Sequence, residues 1–302
     1  MSTFIELCAG MVSLSMLLDG RRAPVTRYRG GKWRLADDIF DVGGITNKKF
    51  DRFIWCEANH DTRRFLTLWS DPQVSECAVD VMAEWILGGP DSMVERWRTV
   101  DRMFRRTRRS ASSDDLTDAE FCASFFLWRQ VEGFQRICAA YLLGKPIGDH
   151  YSKGIRTYPP DWIIGQIRSS ALNFSGFTPY SIHEDAGDVV PFKDAVVYLD
   201  PPYRNTLGYS GLDLSRERVV EIARRWDEAG AHVLISEGEQ IDELVLEGWH
   251  GRQISDRTGF VPGKHSPEFI TTNRPPYGEL GPTGILSLFN TNEPEQQCEM
   301  NS

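Results

Sequence analysis

The strand-forming run Ala195-Val-Val-Tyr-Leu199 ends abruptly in Asp200-Pro201-Pro202-Tyr203, and this junction constrains the fold more than any other part of the chain. A short apolar run rich in β-branched residues reads as a buried strand. Two prolines then end the ladder, because neither can donate a backbone hydrogen bond, and they hold the following residues rigid at the strand's carboxyl end. In open α/β sheets that edge is where ligands bind. The tetrapeptide gathers a carboxylate, a proline carbonyl and an aromatic face there, a trio suited to gripping a flat, amino-bearing ring. The plainer alternative is a stiff strand exit with a solvated aspartate, but two prolines straight after a buried strand are costly enough to be rare by chance.

The rest of the chain reads as a sheet interrupted by helices. Strand patterns occur at about residues 3–8, at Phe53–Cys56, Tyr180–His183, Ala195–Leu199 and His232–Ser236, and further on at Trp249–Ile254, Glu268–Thr272 and Ile285–Phe289. Helical patterns cover Ser13–Leu18, Trp33–Phe40 and His60–Trp69. The Arg216–Ala229 helix lies between two strands and makes a β–α–β unit with a parallel pair. From about Pro72 to Ser175 apolar residues recur only at helical spacing, through Val79–Leu87, Met93–Phe104 and Phe121–Leu143, with Thr117 and Asp118 supplying N-cap chemistry for the last. The expected architecture is therefore α/β: a doubly wound, Rossmann-like sheet with an inserted helical region. Residues 1–73 form one half of the sheet domain, 74–175 the insertion, 176–292 the other half, and 293–302 a polar, frayed tail.

At 302 residues, 41% hydrophobic and 25% charged, the chain has ordinary globular composition. No apolar run approaches the roughly 18 residues of a membrane span, so no membrane partner is expected, and the start of the chain lacks a signal-peptide pattern. Six cysteines without close pairs argue against a zinc site or a disulfide framework and favour a reducing cytoplasm. The net charge of −9 speaks against a polyanionic partner when taken alone, but distribution matters more. Seven arginines and one acid, Asp101, lie between Arg96 and Arg109, and a second basic patch runs from Arg21 to Arg34. A basic helix face of this kind can track phosphates, its bland counterpart being a solvated face with local acidic partners. Trp97 and Phe104, interleaved with these arginines, require part of the helix to pack inward.

Three further segments stand out, each weak by itself. Phe4-Ile-Glu-Leu-Cys-Ala-Gly10 is a strand followed by small residues that admit a ligand close to the backbone, or else a plain strand–turn–helix connection; no G-x-G-x-x-G is present. Phe53-Ile-Trp-Cys-Glu57 ends a strand in a carboxylate, which in doubly wound sheets can accept both hydroxyls of a ribose. Tyr28-Arg-Gly-Gly-Lys32 is a basic turn whose paired glycines allow close approach; its spacing is not that of a P-loop.

Together these residues resemble the Dam-type N6-adenine DNA methyltransferases. Phe4–Gly10 is similar to the family's first cofactor motif and Tyr28–Lys32 to its Gly-Gly-Lys loop. Cys56-Glu-Ala-Asn-His60 is similar to the second strand and its helix, Ile182-His-Glu-Asp185 to the acid near the cofactor adenine, and Asp200–Tyr203 to the catalytic tetrapeptide, with Tyr209 downstream. Leu234-Ile-Ser236 and Glu268-Phe-Ile-Thr-Thr-Asn273 resemble later strands. One departure is plain: the Gly-Gly-Lys loop follows the first motif here, whereas it precedes it in the family. A permuted segment can still reach the same spatial site.

The resemblance implies transfer of a methyl group from S-adenosylmethionine to the N6 of an adenine flipped out of double-stranded DNA, with no metal required. It implies catalytic roles for Asp200, Pro201, Pro202 and Tyr203. The cofactor would be held by Glu6, Leu7, Cys8, Ala9 and Gly10, by Tyr28, Gly31 and Lys32 at its methionine end, by Glu57 and Ala58 at the ribose, and by Glu184 and Asp185 at the adenine. DNA contacts fall to Arg98, Arg102, Arg105, Arg106, Tyr209 and Lys264. Alternatives are N4-cytosine in DNA, adenine in RNA, or a catalytically silent DNA-binding relative. A protein-glutamine enzyme would carry Asn in place of Asp200, and a C5-cytosine enzyme would need a Pro-Cys nucleophile that is absent from the sequence.

Overall fold

A computed structural model describes residues 1–22, 32–105, 115–132, 158–202, 214–258 and 265–276. Its centre is a seven-stranded sheet of β1 (Thr3–Leu7), β2 (Arg52–Cys56), β3 (Ser181–His183), β4 (Ala195–Leu199), β5 (His232–Glu237), β6 (His250–Thr258) and β7 (His265–Thr272), ordered β3-β2-β1-β4-β5-β7-β6. The first five strands in that order run parallel. β7 lies antiparallel to β5, and β6 antiparallel to β7 with an irregularity between Gln253 and Ser255. Among the described residues the helices in chain order are α1 (Ser13–Leu18), α2 (Ala36–Gly43), α3 (His60–Trp69), α4 (Pro72–Leu87), α5 (Pro90–Arg105), α6 (Asp118–Glu132), α7 (Pro160–Phe174), α8 (Arg216–Glu228) and α9 (Asp242–Leu246).

Every residue of β1, β4 and β5 is buried, because helices cover both faces of the sheet. Side chains alternate between two cores. Phe4, Trp55, Val196, Tyr198 and Leu234 join the side chains of α1 to α7 on one face, while Ile5, Leu7, Ile54, Val197, Leu199, Val233 and Ile235 join Val219, Ile222, Ala223 and Trp226 of α8 and Leu244 of α9 on the other. The expected doubly wound α/β arrangement is present. The helical stretch after residue 72 shares the first core: Phe65 and Trp69 of α3 stack on each other, and Phe125 and Phe126 of α6 pack against them.

Local chemistry explains several boundaries. Asp71 caps α4 by accepting from the Gln73 and Val74 amides, and Pro72 opens the helix where its missing N–H costs nothing. Thr117 and Glu120 form a reciprocal capping box at the start of α6. The helix expected over Trp33–Phe40 is instead a 3₁₀ turn at Lys32–Arg34 followed by α2. Trp33 is partly exposed, and the buried stripe begins only with Ala36, Ile39 and Phe40, so burial starts the helix later than the apolar letters do. α7 buries Ile163, Ile167, Ala171 and Phe174 at helical spacing. The expected strand at Ile285–Phe289 and the end of the Phe121–Leu143 helix lie outside the described residues. No helix among those described is long and apolar enough to cross a membrane.

Candidate active site

Strand order reverses between β1 and β4: the chain winds outward through β2 and β3 on one side and through β5 on the other. A crevice at the carboxyl ends of two such strands is the general ligand site of open α/β sheets. Here Leu7 pairs with Leu199, and the Asp200 amide donates to the Leu7 carbonyl at 3.3 Å, so the segment after β1 and the Asp-Pro-Pro exit of β4 lie side by side.

The β1 exit is tightly wound. Cys8, Gly10 and Val12 all have positive φ (59°, 52° and 47°). Left-handed geometry costs a residue bearing a Cβ about 1–2 kcal/mol, and a β-branched valine there is unusual. Strain of this kind persists only where the surroundings over-determine it, and it clusters at functional sites. The surroundings are visible: the Ala9 amide donates to the Cys56 carbonyl at 2.7 Å, and the Gly10 amide to Glu57 Oε2 at 2.7 Å.

Glu57, buried at the end of β2, also accepts from the Asn59 amide at 2.8 Å through Oε1. Burial raises its pKa, while the Asn59 and Gly10 amides and the Arg129 and Arg63 guanidiniums oppose the rise. A carboxylate offers about four acceptor positions, so two remain after these bonds. Glu6, inside β1, accepts from both the amide and the hydroxyl of Ser15 through one oxygen, at 3.1 and 2.6 Å, and its pKa is pushed up to about 7, chiefly by burial.

Asp200 faces the α1–α2 side. Its Oδ1 holds the Lys32 ammonium at 2.7 Å, and Glu268 Oε1 on β7 lies 3.7 Å from the same nitrogen. Ser236 at the end of β5 donates to Glu268 Oε1. Lys32 is only 8% exposed, whereas Asp200 keeps 21% of its side chain open. Burial pushes the Asp200 carboxyl up to about 6, against the pull of Lys32.

The structure therefore brings Glu6, Leu7, Cys8, Ala9, Gly10, Lys32, Glu57, Ala58, Asp200, Pro201 and Pro202 to one edge, joined by Glu184 and Asp185 just past β3. Leu7 is fully buried and offers only its backbone. Glu184 is exposed and pairs with Arg63 at 2.9 Å, and Asp185 accepts from the Gly187 amide at 2.6 Å. Lys32, expected at the methionine end of a cofactor, lies on the carboxylate of the tetrapeptide. Arg98 and Arg102 lie exposed on α5, whose inner face buries Met93, Trp97, Val100 and Phe104 against α4 and α6. Tyr28, Gly31, Arg106, Tyr203, Tyr209 and Lys264, and the side chain of Arg105, lie outside the described residues.

Sequence reading missed Glu268 and Ser236, and also Glu237, a buried carboxyl at the end of β5 pushed up to about 7 by burial. Arg216, its side chain 7% exposed at the start of α8, lies near Glu237 and pairs with Glu239 at 2.8 Å; its Nε and Nη1 meet no acceptor among the described residues. Glu237 closes the apolar run of β5, and that charged ending was its available signal; Glu268, in the mixed run of β7, carried none by itself. No group of His, Cys, Asp or Glu among the described residues is arranged to hold a metal ion.

No protein-family model matches this chain, and no curated protein matches it either.

Proposed function

We propose that the chain is an S-adenosylmethionine-dependent methyltransferase acting on the N6 amino group of an adenine in double-stranded DNA, built on a Rossmann-like sheet with target recognition in its helical layer. One observation carries this reading: Asp200, at the switch point and at the end of its strand, already holds a nitrogen donor at 2.7 Å. A carboxylate that binds an ammonium there is placed to bind a substrate amine.

The residues fit the cofactor. Glu57 retains acceptor capacity for two ribose hydroxyls after serving Gly10 and Asn59. Asp185 and Glu184 stand open to solvent at the next strand end, where an adenine amino group would meet them. When bound, S-adenosylmethionine supplies a methyl group activated as a sulfonium. Asp200 and the Pro201 carbonyl accept the two N–H bonds of the target amine, which draws its lone pair out of ring conjugation and aims it. Asp200, pushed up to about 6, then takes the proton that the methylated nitrogen sheds. Positioning and electrostatics carry such a step, with no covalent intermediate on the chain. Tyr203 supplies the stacking face for the flipped base, whose unstacking costs a few kcal/mol. Arg98 and Arg102 contact phosphates. A reducing cytoplasm suits the free thiols of Cys8, Cys56, Cys77 and Cys122.

The test is transfer of labelled methyl to duplex DNA and to RNA, followed by nucleoside analysis. N6-methyladenine in DNA is the expected product; N4-methylcytosine or modified RNA would reassign the substrate. Asp200→Ala is expected to abolish transfer while calorimetry still detects cofactor binding. Cofactor binding by the wild-type chain with no transfer to either polymer would leave a silent relative of such enzymes.

A further inference from the structure

The Lys32 ammonium is not the partner of Asp200 alone. It sits between two carboxylates delivered by different strands, Asp200 Oδ1 at 2.7 Å and Glu268 Oε1 at 3.7 Å. Glu268 is itself held by the Ser236 hydroxyl, and both Lys32 and Glu268 are about nine-tenths buried. The β4 exit and β7 thus each bring a carboxylate to the ammonium carried by the turn before α2, and β5 steadies the second of them through Ser236. Within a fixed ion pair a carboxylate gives up much of its strength as an acceptor to its cation. A second carboxylate on the same ammonium counteracts that loss.

We propose that Glu268 is a positioning residue: by sharing the Lys32 ammonium with Asp200, it leaves Asp200 the stronger acceptor for the substrate amine and its proton. This rests on the methyltransferase reading for its catalytic meaning, although the electrostatic coupling itself does not. Glu268 touches neither substrate nor cofactor in this scheme; it acts on Asp200 through the shared Lys32 ammonium and through its own negative charge. The groups facing Asp200 are Lys32 from the turn, Glu6 and Cys8 from β1 and its exit, Glu237 from β5 and Glu268 from β7. Of these only Lys32 lowers its proton affinity, and Glu268 is the negative group that also contacts Lys32.

The two sides of the network pull in opposite directions, and that gives the test. In Glu268→Gln the ammonium loses its second carboxylate and Asp200 loses a negative neighbour, so Asp200 is expected to titrate at lower pH by about one unit. In Lys32→Met it is expected to titrate higher by a similar amount or more. Carboxyl-carbon NMR of Asp200 in the full chain reads both shifts, and the acid limb of the pH–rate profile for methyl transfer should follow them. In Glu268→Gln the turnover rate should fall while the cofactor KM holds; Glu268→Asp should recover part of the rate. A Glu268 needed only for packing would shift neither titration in a charge-dependent direction. An unmoved or upward-moving Asp200 titration in folded Glu268→Gln overturns the proposal. Opposite NMR shifts in an enzyme that transfers no methyl group support the coupling and count against the methyltransferase reading instead.

Discussion

Replacing Glu6 by Gln should stabilise the fold above neutral pH and leave it much less affected in mild acid. Glu6 is 4% exposed, and its pKa is pushed from 4.5 to about 7, mainly by burial and with Asp200 adding to the rise. A carboxyl with a raised native pKa binds its proton more tightly folded than unfolded. Its stability contribution is complete below the unfolded value and is lost as pH rises through the native one. At roughly 1.36 kcal/mol per unit, the loss across the whole window is about 3 kcal/mol, of which about 2.5 falls between pH 5 and pH 8. Gln keeps an oxygen for the Ser15 amide and hydroxyl, which now bond at 3.1 and 2.6 Å, and cannot ionise. Any cost of seating its NH₂ group is the same at both pH values. The informative quantity is therefore the difference between the two variant effects, measured by urea denaturation of wild type and Glu6→Gln at pH 5 and pH 8. A gain larger by about 2 kcal/mol or more at pH 8 is expected. Equal effects at the two pH values would refute the claim that Glu6 is buried with its charge poorly compensated.

Other outcomes follow from the same geometry. Glu57→Gln puts an NH₂ group against either the Gly10 or the Asn59 amide; it should weaken cofactor binding at least tenfold by calorimetry and cost about 1–3 kcal/mol of stability. Cys8→Gly relieves the left-handed strain at φ 59° and should raise stability by about 1 kcal/mol in chemical denaturation; a loss would show that the thiol packs better than its partial exposure implies. Asp71→Ala should cost about 1 kcal/mol by the same measurement, since two amides of α4 lose their cap. Arg98→Ala combined with Arg102→Ala should flatten the salt dependence of DNA binding by up to about two in the log–log slope, and an unchanged slope would remove α5 from the interface.

Strands and their ends were legible where local chemistry is strong. Ala195–Leu199 and Ser13–Leu18 have the same bounds in sequence and structure, because β-branched density with a double proline stop, and a compact apolar helix, need no outside help. The positions of Asp200 and Glu57 were legible for a related reason: each directly follows a strand-like run and lands on the carboxyl edge of a parallel sheet, with Gly10 in the turn just past β1. The order β3-β2-β1-β4-β5-β7-β6 was not legible, since long-range pairing decides which strand becomes whose neighbour. Nor was the fate of Lys32. It stands 168 positions before Asp200, and it reaches that carboxylate because its turn packs against α1 while α2 packs against β6 and β7. Glu268 and Ser236 looked like ordinary strand letters because their meaning depends on a partner from another strand.

Local sequence determined that strands exist, where they stop, and which acid is held rigid at a stop, since backbone propensity and proline geometry act over a few residues. Tertiary structure alone decided that Lys32 is shared by Asp200 and Glu268 and that burial pushes the Glu6 and Glu237 carboxyls up to about 7. Burial and ion pairing depend on what lies within a few ångströms in space, and the chain's order does not encode that distance.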